Sequence, residues 1–161
     1  MTSKRLDHFG KINRDRVVSF TWDNKKLFGY EGDSLASALL ANDIKVVGRS
    51  FKYHRPRGIM SCGVEESGAL VTVGQGNRRD PNVRATTQEL YEGLVASGQN
   101  AFPSVNFDFG AVTGLLSRFF AAGFYYKTFM GIPPFEWGKG TKIWMLYEKL
   151  IRRAAGMGVA S

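Results

Sequence analysis

Apolar and polar positions alternate through Val17-Val18-Ser19-Phe20-Thr21-Trp22, with Val18, Phe20 and Trp22 on one face. This period of two in β-prone residues predicts a half-buried strand. Asp23-Asn24-Lys25 supplies turn chemistry, and Lys26 to Tyr30 reads as the return strand of a hairpin. At Gly32-Asp33-Ser34 the period changes. Asp33 or Ser34 can cap a helix whose apolar stripe is Leu35, Ala38 and Leu39, and Asn42 with Asp43 ends it. Gly48 to Gly58 carries so many breakers and charges that it predicts a long loop. Ala69 to Val73 is a further β run, closed by Gly74-Gln75-Gly76-Asn77, and a strand pair is expected at Val83 to Thr87 and Tyr91 to Val95. Hairpin, short helix, long loop and returning strands predict an α+β unit of the β-grasp type over residues 13–100, preceded by an N-terminal arm at 1–12.

From about residue 100 the pattern changes again. Thirteen of the 21 aromatic residues lie between Phe102 and Tyr147, on few regular elements. Helices are expected over Phe109 to Phe120 and Ile143 to Ala155, with loops at Met130 to Pro134 and Gly138 to Gly140, so that 101–161 forms a helical, aromatic-rich extension. Two readings are open for its apolar surface. Phe119, Phe120, Phe124, Tyr125, Tyr126 and Phe129 form an interface with another protein, or they pack beneath the β-grasp sheet.

Charge narrows the classes. Lysine and arginine outnumber acids 22 to 14, a formal charge of +8. That excess suits nucleic acid, an acidic partner or a phosphate-bearing cofactor. The basic residues are scattered apart from one cluster near residue 50, and no zinc-finger, basic-zipper or aromatic RNA-binding signature is present. A basic nucleic-acid-binding module is therefore kept only as the reading from another class. No apolar run reaches the roughly 18 to 20 residues of a membrane span. The opening Met1-Thr2-Ser3-Lys4-Arg5-Leu6-Asp7-His8 has no apolar signal segment, and a cytoplasmic location is expected. A single cysteine, Cys62, excludes an internal disulfide and any all-cysteine metal site.

The candidate chemistry is sparse. Arg49, Lys52, Arg55 and Arg57, with His54 among them, put several cations on one stretch. They could grip a phosphate or carboxylate, or dock an adjoining domain, with Gly58 permitting close backbone approach. The alternative is a loop pinned by salt bridges to Glu65 and Glu66. His54 is expected to be a hydrogen-bonded structural histidine, and His8 lies in an untethered terminus. Adjacent Glu65 and Glu66 point apart in most backbones, which disfavours an acid/base pair. Gly74-Gln-Gly-Asn-Arg-Arg lacks the third glycine of a dinucleotide loop and reads as a turn. There is no nucleophile elbow, and no catalytic residue is assigned.

One run is long and compositionally unusual: Gly48-Arg-Ser-Phe-Lys-Tyr-His-Arg-Pro-Arg-Gly58-Ile59. It resembles the corresponding loop of the sarcosine oxidase alpha subunit family and its cluster-bearing relatives. Asp33-Ser-Leu-Ala-Ser-Ala-Leu-Leu-Ala-Asn42, Gly63-Val-Glu-Glu66, Pro81-Asn-Val-Arg-Ala-Thr-Thr87 and Leu90-Tyr-Glu-Gly93 also resemble that family. So do Ser97-Gly-Gln-Asn100 and Gly123-Phe-Tyr-Tyr-Lys-Thr-Phe-Met130. In cluster-bearing relatives the loop leads into Cys-x4-Cys-x2-Cys with a further cysteine later, because two irons need four thiolates. Aligning Gly63-Val64 with the family's Gly-Val puts Met60 and Glu65 near the first two ligand positions and Ser67 or Ala69 near the third. Cys62 falls between ligand positions and is expected to be a small, partly buried residue, with a reactive thiol as the other reading. No [2Fe-2S] cluster is expected.

The resemblance implies a ferredoxin-like scaffold within a heterotetrameric, flavin-dependent N-methyl amine oxidoreductase. Such an assembly oxidises sarcosine or a similar secondary or tertiary amine and passes the one-carbon unit to tetrahydrofolate. FAD, FMN and NAD are implied for the holoenzyme and its other subunits or domains, with no cofactor on this chain alone. The family's glycine fingerprint is expected beyond a helix like Leu146 to Ala155, so the chain reads as a fragment or a naturally split, non-catalytic subunit. A standalone small subunit of a related amine or proline dehydrogenase is the alternative.

Overall fold

The computed structural model describes residues 4–6, 8, 10–115 and 149. Alternation at Val18, Phe20 and Trp22 buries all three on strand β1 (Asn13–Trp22), which runs antiparallel to β2 (Lys25–Glu31). Their connection is a two-residue turn, with Trp22 opposite Lys25. Asp23 and Asn24 both take positive φ, 44° and 65°, the conformation that matches the twist of a hairpin and that Asn and Asp tolerate.

Helix α1 (Leu35–Ala41) follows. Ser34, not Asp33, is its cap: the Ser34 hydroxyl accepts from the Ser37 amide at 3.2 Å. Leu35, Ala36, Ala38 and Leu39 are buried in the same core cluster as Phe20 and Trp22, and Asn42 closes the C-terminal end. The stripe expected from sequence is the one that packs.

The remaining strands are β3 (Val46–Arg49), β4 (Pro56–Gly58), β5 (Leu70–Val73), β6 (Asp80–Arg84) and β7 (Val95–Ser97). The main sheet has the order β2-β1-β7-β5-β6, with β1 and β7 parallel and the other neighbours antiparallel. A parallel central pair beside two antiparallel flanks, crossed by one helix, is the expected α+β, β-grasp arrangement. Its core joins Val18, Phe20, Trp22, Leu35, Leu39, Val47, Val71 and Leu94. Each such burial contributes about 1.5–3 kcal/mol for the larger side chains.

Three expectations are corrected. Gly48 to Gly58 is not all loop: β3 and β4 form a separate two-stranded antiparallel hairpin, with Val46 opposite Gly58 and Arg49 opposite Pro56. Charges and a strand-initial proline are compatible with short edge strands, which need few ladder bonds. The pair expected at 83–87 and 91–95 is also displaced. Strand β6 begins at Asp80 and pairs with β5, whereas residues 85–94 are turns that bury Ala85, Leu90 and Leu94, with Gly93 at φ 79°. Apolar side chains there signal burial rather than extension. Finally, Phe109 to Phe120 opens as a 3-10 turn (Phe109–Ala111) leading into helix α2 (Val112–Leu115). The rest of that helix, Phe119, Phe120, Phe124, Tyr125, Tyr126 and Phe129, and the helix at 143–155 apart from Lys149, lie outside the described residues.

The arm is not untethered. Arg5 reaches into the domain and grips Asp33 with its two terminal guanidinium nitrogens, Nη1 and Nη2, at 2.8 and 2.5 Å.

Candidate functional site

The segment between β4 and β5 is where a ferredoxin-like domain would carry its cluster, and it folds here around a carboxylate. Glu66 is 1% exposed. One of its oxygens, Oε2, accepts from the amides of Met60 at 2.6 Å and Ser61 at 2.7 Å. The other, Oε1, accepts from Gly68 at 2.5 Å and Ala69 at 3.1 Å. Four backbone donors from both ends of one loop thus converge on one side chain. Burial pushes the carboxyl group's pKa up, but the amides of Ser61, Gly68, Met60 and Ala69 outweigh it and bring the pKa down from 4.5 to about 2. Glu66 is an anion at any ordinary pH.

The outside of the loop is fastened from β6 and the turn that follows it. Arg84 Nε donates to the Glu66 carbonyl at 3.2 Å, and Thr86 Oγ1 donates to the Gly63 carbonyl at 2.8 Å. This corrects the idea that Glu66 pins the basic stretch by salt bridges, because backbone amides occupy both its oxygens. Cys62 is exposed rather than partly buried. Met60, Val64 and Glu65 are exposed as well, and it is Glu66 that takes the interior of this loop.

A [2Fe-2S] cluster does not fit these residues. Counted strictly from Met60, the Cys-x4-Cys-x2-Cys spacing reaches Glu65 and then Gly68. A Cβ at Gly68 would lie 2.7 Å from the Gly58 carbonyl oxygen and 3.1 Å from Glu66 Oε1, so a larger side chain has no room there. With one cysteine in the chain, the four thiolates that two irons require are absent. Among the described residues no group of three His, Cys, Asp or Glu is placed to hold a metal ion.

The basic stretch is dispersed. Arg49 is spent on backbone, donating from Nε to the Val105 carbonyl at 2.9 Å and from Nη1 to the His54 carbonyl at 3.0 Å. Lys52 and Arg55 lie over the Tyr53 ring, each 5.0 Å from its centroid. Arg57 is exposed and lines a polar cleft of about 410 Å3 with Arg49, Ser67, Asn82 and Asn100. The four cations are therefore spread over different partners, and Arg49 and Arg57 line one cleft together.

His54 is hydrogen-bonded, through Nδ1 to Asp108 Oδ2 at 2.7 Å. Its backbone has φ 51°, held by its amide's bond to the Ser50 carbonyl at 2.9 Å. Asp108 also accepts from the amides of Phe102 and Gly110, each at 3.0 Å. Burial raises the Asp108 pKa, but the Phe102 amide, His54 and the Gly110 amide lower it further. The pair lines a second cleft of about 410 Å3 with Phe51, Arg79, Phe102 and Phe109. Its organising acid was missed in the sequence because it lies 54 residues from the histidine. Glu66 was seen but not valued. No side-chain pattern marks it, because its role depends on where the amides of Met60, Ser61, Gly68 and Ala69 point.

Among the described residues no helix is long and apolar enough to cross a membrane. Residues 15–101 match the family model of the 2Fe-2S iron-sulfur cluster binding domain. Over all 161 residues the chain is 59% identical to the sarcosine oxidase subunit alpha of Rhizobium meliloti (strain 1021), and it spans 16% of that protein's length. Over 90 residues, 54% of the chain, it is 44% identical to the sarcosine oxidase subunit alpha of Corynebacterium sp. (strain U-96), spanning 9% of it. Among solved structures, L-proline dehydrogenase from P. horikoshii is 26% identical over 57% of this chain and 17% of its own, with a TM-score of 0.44. The similarity to the Rhizobium meliloti subunit therefore extends along the whole sequence. The chain belongs to the 2Fe-2S iron-sulfur cluster binding domain family, in a form whose cluster loop is built around a glutamate.

Proposed function

We propose that this chain is a non-catalytic, structural part of a multi-subunit, flavin-dependent N-methyl amine oxidoreductase of the sarcosine oxidase type. The observation that carries the reading is the 59% identity along all 161 residues to a sarcosine oxidase subunit alpha. In this proposal flavins held elsewhere in the assembly supply the oxidising chemistry. NAD and tetrahydrofolate bind there too, and the complex works in the cytoplasm as a heterotetramer. The chain's own residues shape and support. The β-grasp unit at 13–100 is the rigid body, and the extension at 101–161 leads toward a dinucleotide-binding domain or subunit.

Within that reading Arg49, Lys52, Arg55 and Arg57 belong to a docking edge rather than a reaction centre. Arg55 and Arg57 are exposed at its rim, and Arg57 faces a polar cleft that an acidic group of a neighbour could enter. Phe119, Phe120, Phe124, Tyr125, Tyr126 and Phe129 are proposed to continue this contact as an apolar interface. The exposed rings of Phe102, Phe107 and Phe109, with Phe107 and Phe109 centroids 5.2 Å apart, begin such a surface.

The test is co-purification. An affinity tag on the full chain, expressed with its genomic neighbours, is expected to bring down yellow flavoprotein subunits and sarcosine-dependent oxygen consumption. The chain purified alone is expected to be colourless and inactive. Amine oxidation by the isolated chain, or recovery without any flavoprotein, would overturn the proposal.

A further inference from the structure

An iron–sulfur cluster is more than a cross-link between cysteines. Its sulfurs are anionic and accept hydrogen bonds from the groups around them. A loop that wraps such a cluster therefore has inward-pointing donors, and those donors become a liability once the cluster is gone, because a buried N–H left unpaired is destabilising. In this chain the amides of Met60, Ser61, Gly68 and Ala69 still point inward, and each ends on Glu66. We propose that the Glu66 carboxylate replaces the cluster as the internal anion that organises this loop, so that the domain folds without iron.

The geometry is specific to a carboxylate. Each oxygen takes two amides, Met60 and Ser61 on one, Gly68 and Ala69 on the other. A glutamine would satisfy one pair and turn an NH2 group against the other, donor to donor. Converging backbone amides are also a general anion cradle. Removing the side chain should therefore leave a site that a small carboxylate from solution can enter. Gly68 completes the device, since any side chain there would meet the Gly58 carbonyl and Glu66 itself. Glu65 is exposed and supplies the control.

The experiment is residue-resolved amide hydrogen exchange on the full chain at neutral pH. Glu66→Ala is expected to exchange about tenfold faster or more at Ser61 and Gly68 than the wild type. Formate should restore the protection saturably, while formamide, its uncharged counterpart, should not. Glu66→Gln is expected to lose protection at one pair of amides only, and Glu65→Gln at none. If Glu66→Ala does not fold, the comparison of Glu66→Gln with Glu65→Gln carries the test; failure of the former beside a folded latter supports the proposal. Full protection of all four amides in Glu66→Gln overturns it. So does an equal effect of formate and formamide on a folded Glu66→Ala.

Discussion

Asp33 and Glu66 are both acids in the interior, 2% and 1% exposed, and the molecule stabilises them in different ways. Asp33, ahead of α1, is matched by a cation: Arg5 grips both oxygens, and the Tyr30 amide and the Ser37 hydroxyl each add a bond at 2.8 Å. Glu66, between β4 and β5, is matched chiefly by four backbone amides, with the Ser61 hydroxyl adding a long bond at 3.4 Å. The first arrangement ties a distant segment, the arm, to the helix start across 28 residues. The second is contained within residues 60–69 and makes the loop its own counterweight. A charge satisfied by a side chain can be lost when the partner swings away. A charge satisfied by four amides is lost only when the loop itself opens.

The comparison can be broken at either end. Glu66→Ala should cost the most, about 3 kcal/mol or more, because four buried donors lose their acceptor at once. Urea unfolding of the full chain measures it, and a loss within that of a surface substitution would contradict the account. Arg5→Ala leaves Asp33 buried with two neutral partners, and Arg5 itself is partly reached by solvent. A loss of about 2 kcal/mol is expected, read by the same unfolding curve and by release of the arm to proteolysis. Asp108→Ala removes the acceptor of the Phe102 and Gly110 amides and should cost about 1–2 kcal/mol, with faster exchange at those two amides. Ser34→Ala, which removes only the helix cap, should cost about 1 kcal/mol and lower thermal stability modestly.

Acidity sharpens the same contrast. The Glu66 carboxyl lies below its unfolded value of 4.5, at about 2, so its contribution is complete above pH 4.5 and is lost as pH falls from there toward 2. For Asp33, burial acts upward but Arg5, the Tyr30 amide and Ser37 lower the pKa overall, giving the same sign. Unfolding free energy should therefore fall with acidity through this window. In Glu66→Gln the slope should be shallower, and in Arg5→Ala shallower for a different group. An unchanged slope in Glu66→Gln would contradict the account.

Much of the frame was legible in the sequence, and the reasons are local. Val18, Phe20 and Trp22 alternate because one face of β1 is buried and the other is not, while Leu35, Ala38 and Leu39 recur at helical spacing because α1 lies on that face. Asp23-Asn24 encodes its own turn. The β3–β4 hairpin was not legible, since four and three residues of edge strand rich in charge and glycine carry no periodicity. Strand β6 was misplaced because Ala85, Leu90 and Leu94 are apolar for burial in turns. At the site, the missing thiols could be counted directly. The role of Glu66 could not, because it depends on where four amides point, and backbone direction leaves no trace in side-chain type. The basic stretch likewise advertised charge but not its dispersal onto carbonyls and the Tyr53 ring.

The most direct measurement is the NMR titration of the Glu66 side-chain carboxyl carbon in the wild-type chain, observed while the domain remains folded. The account predicts no protonation through pH 4 and a midpoint near 2, with the Ser61 and Gly68 amide resonances following the same curve. A midpoint near 4.5, with those amides unmoved, would mean that the carboxylate does not hold the loop.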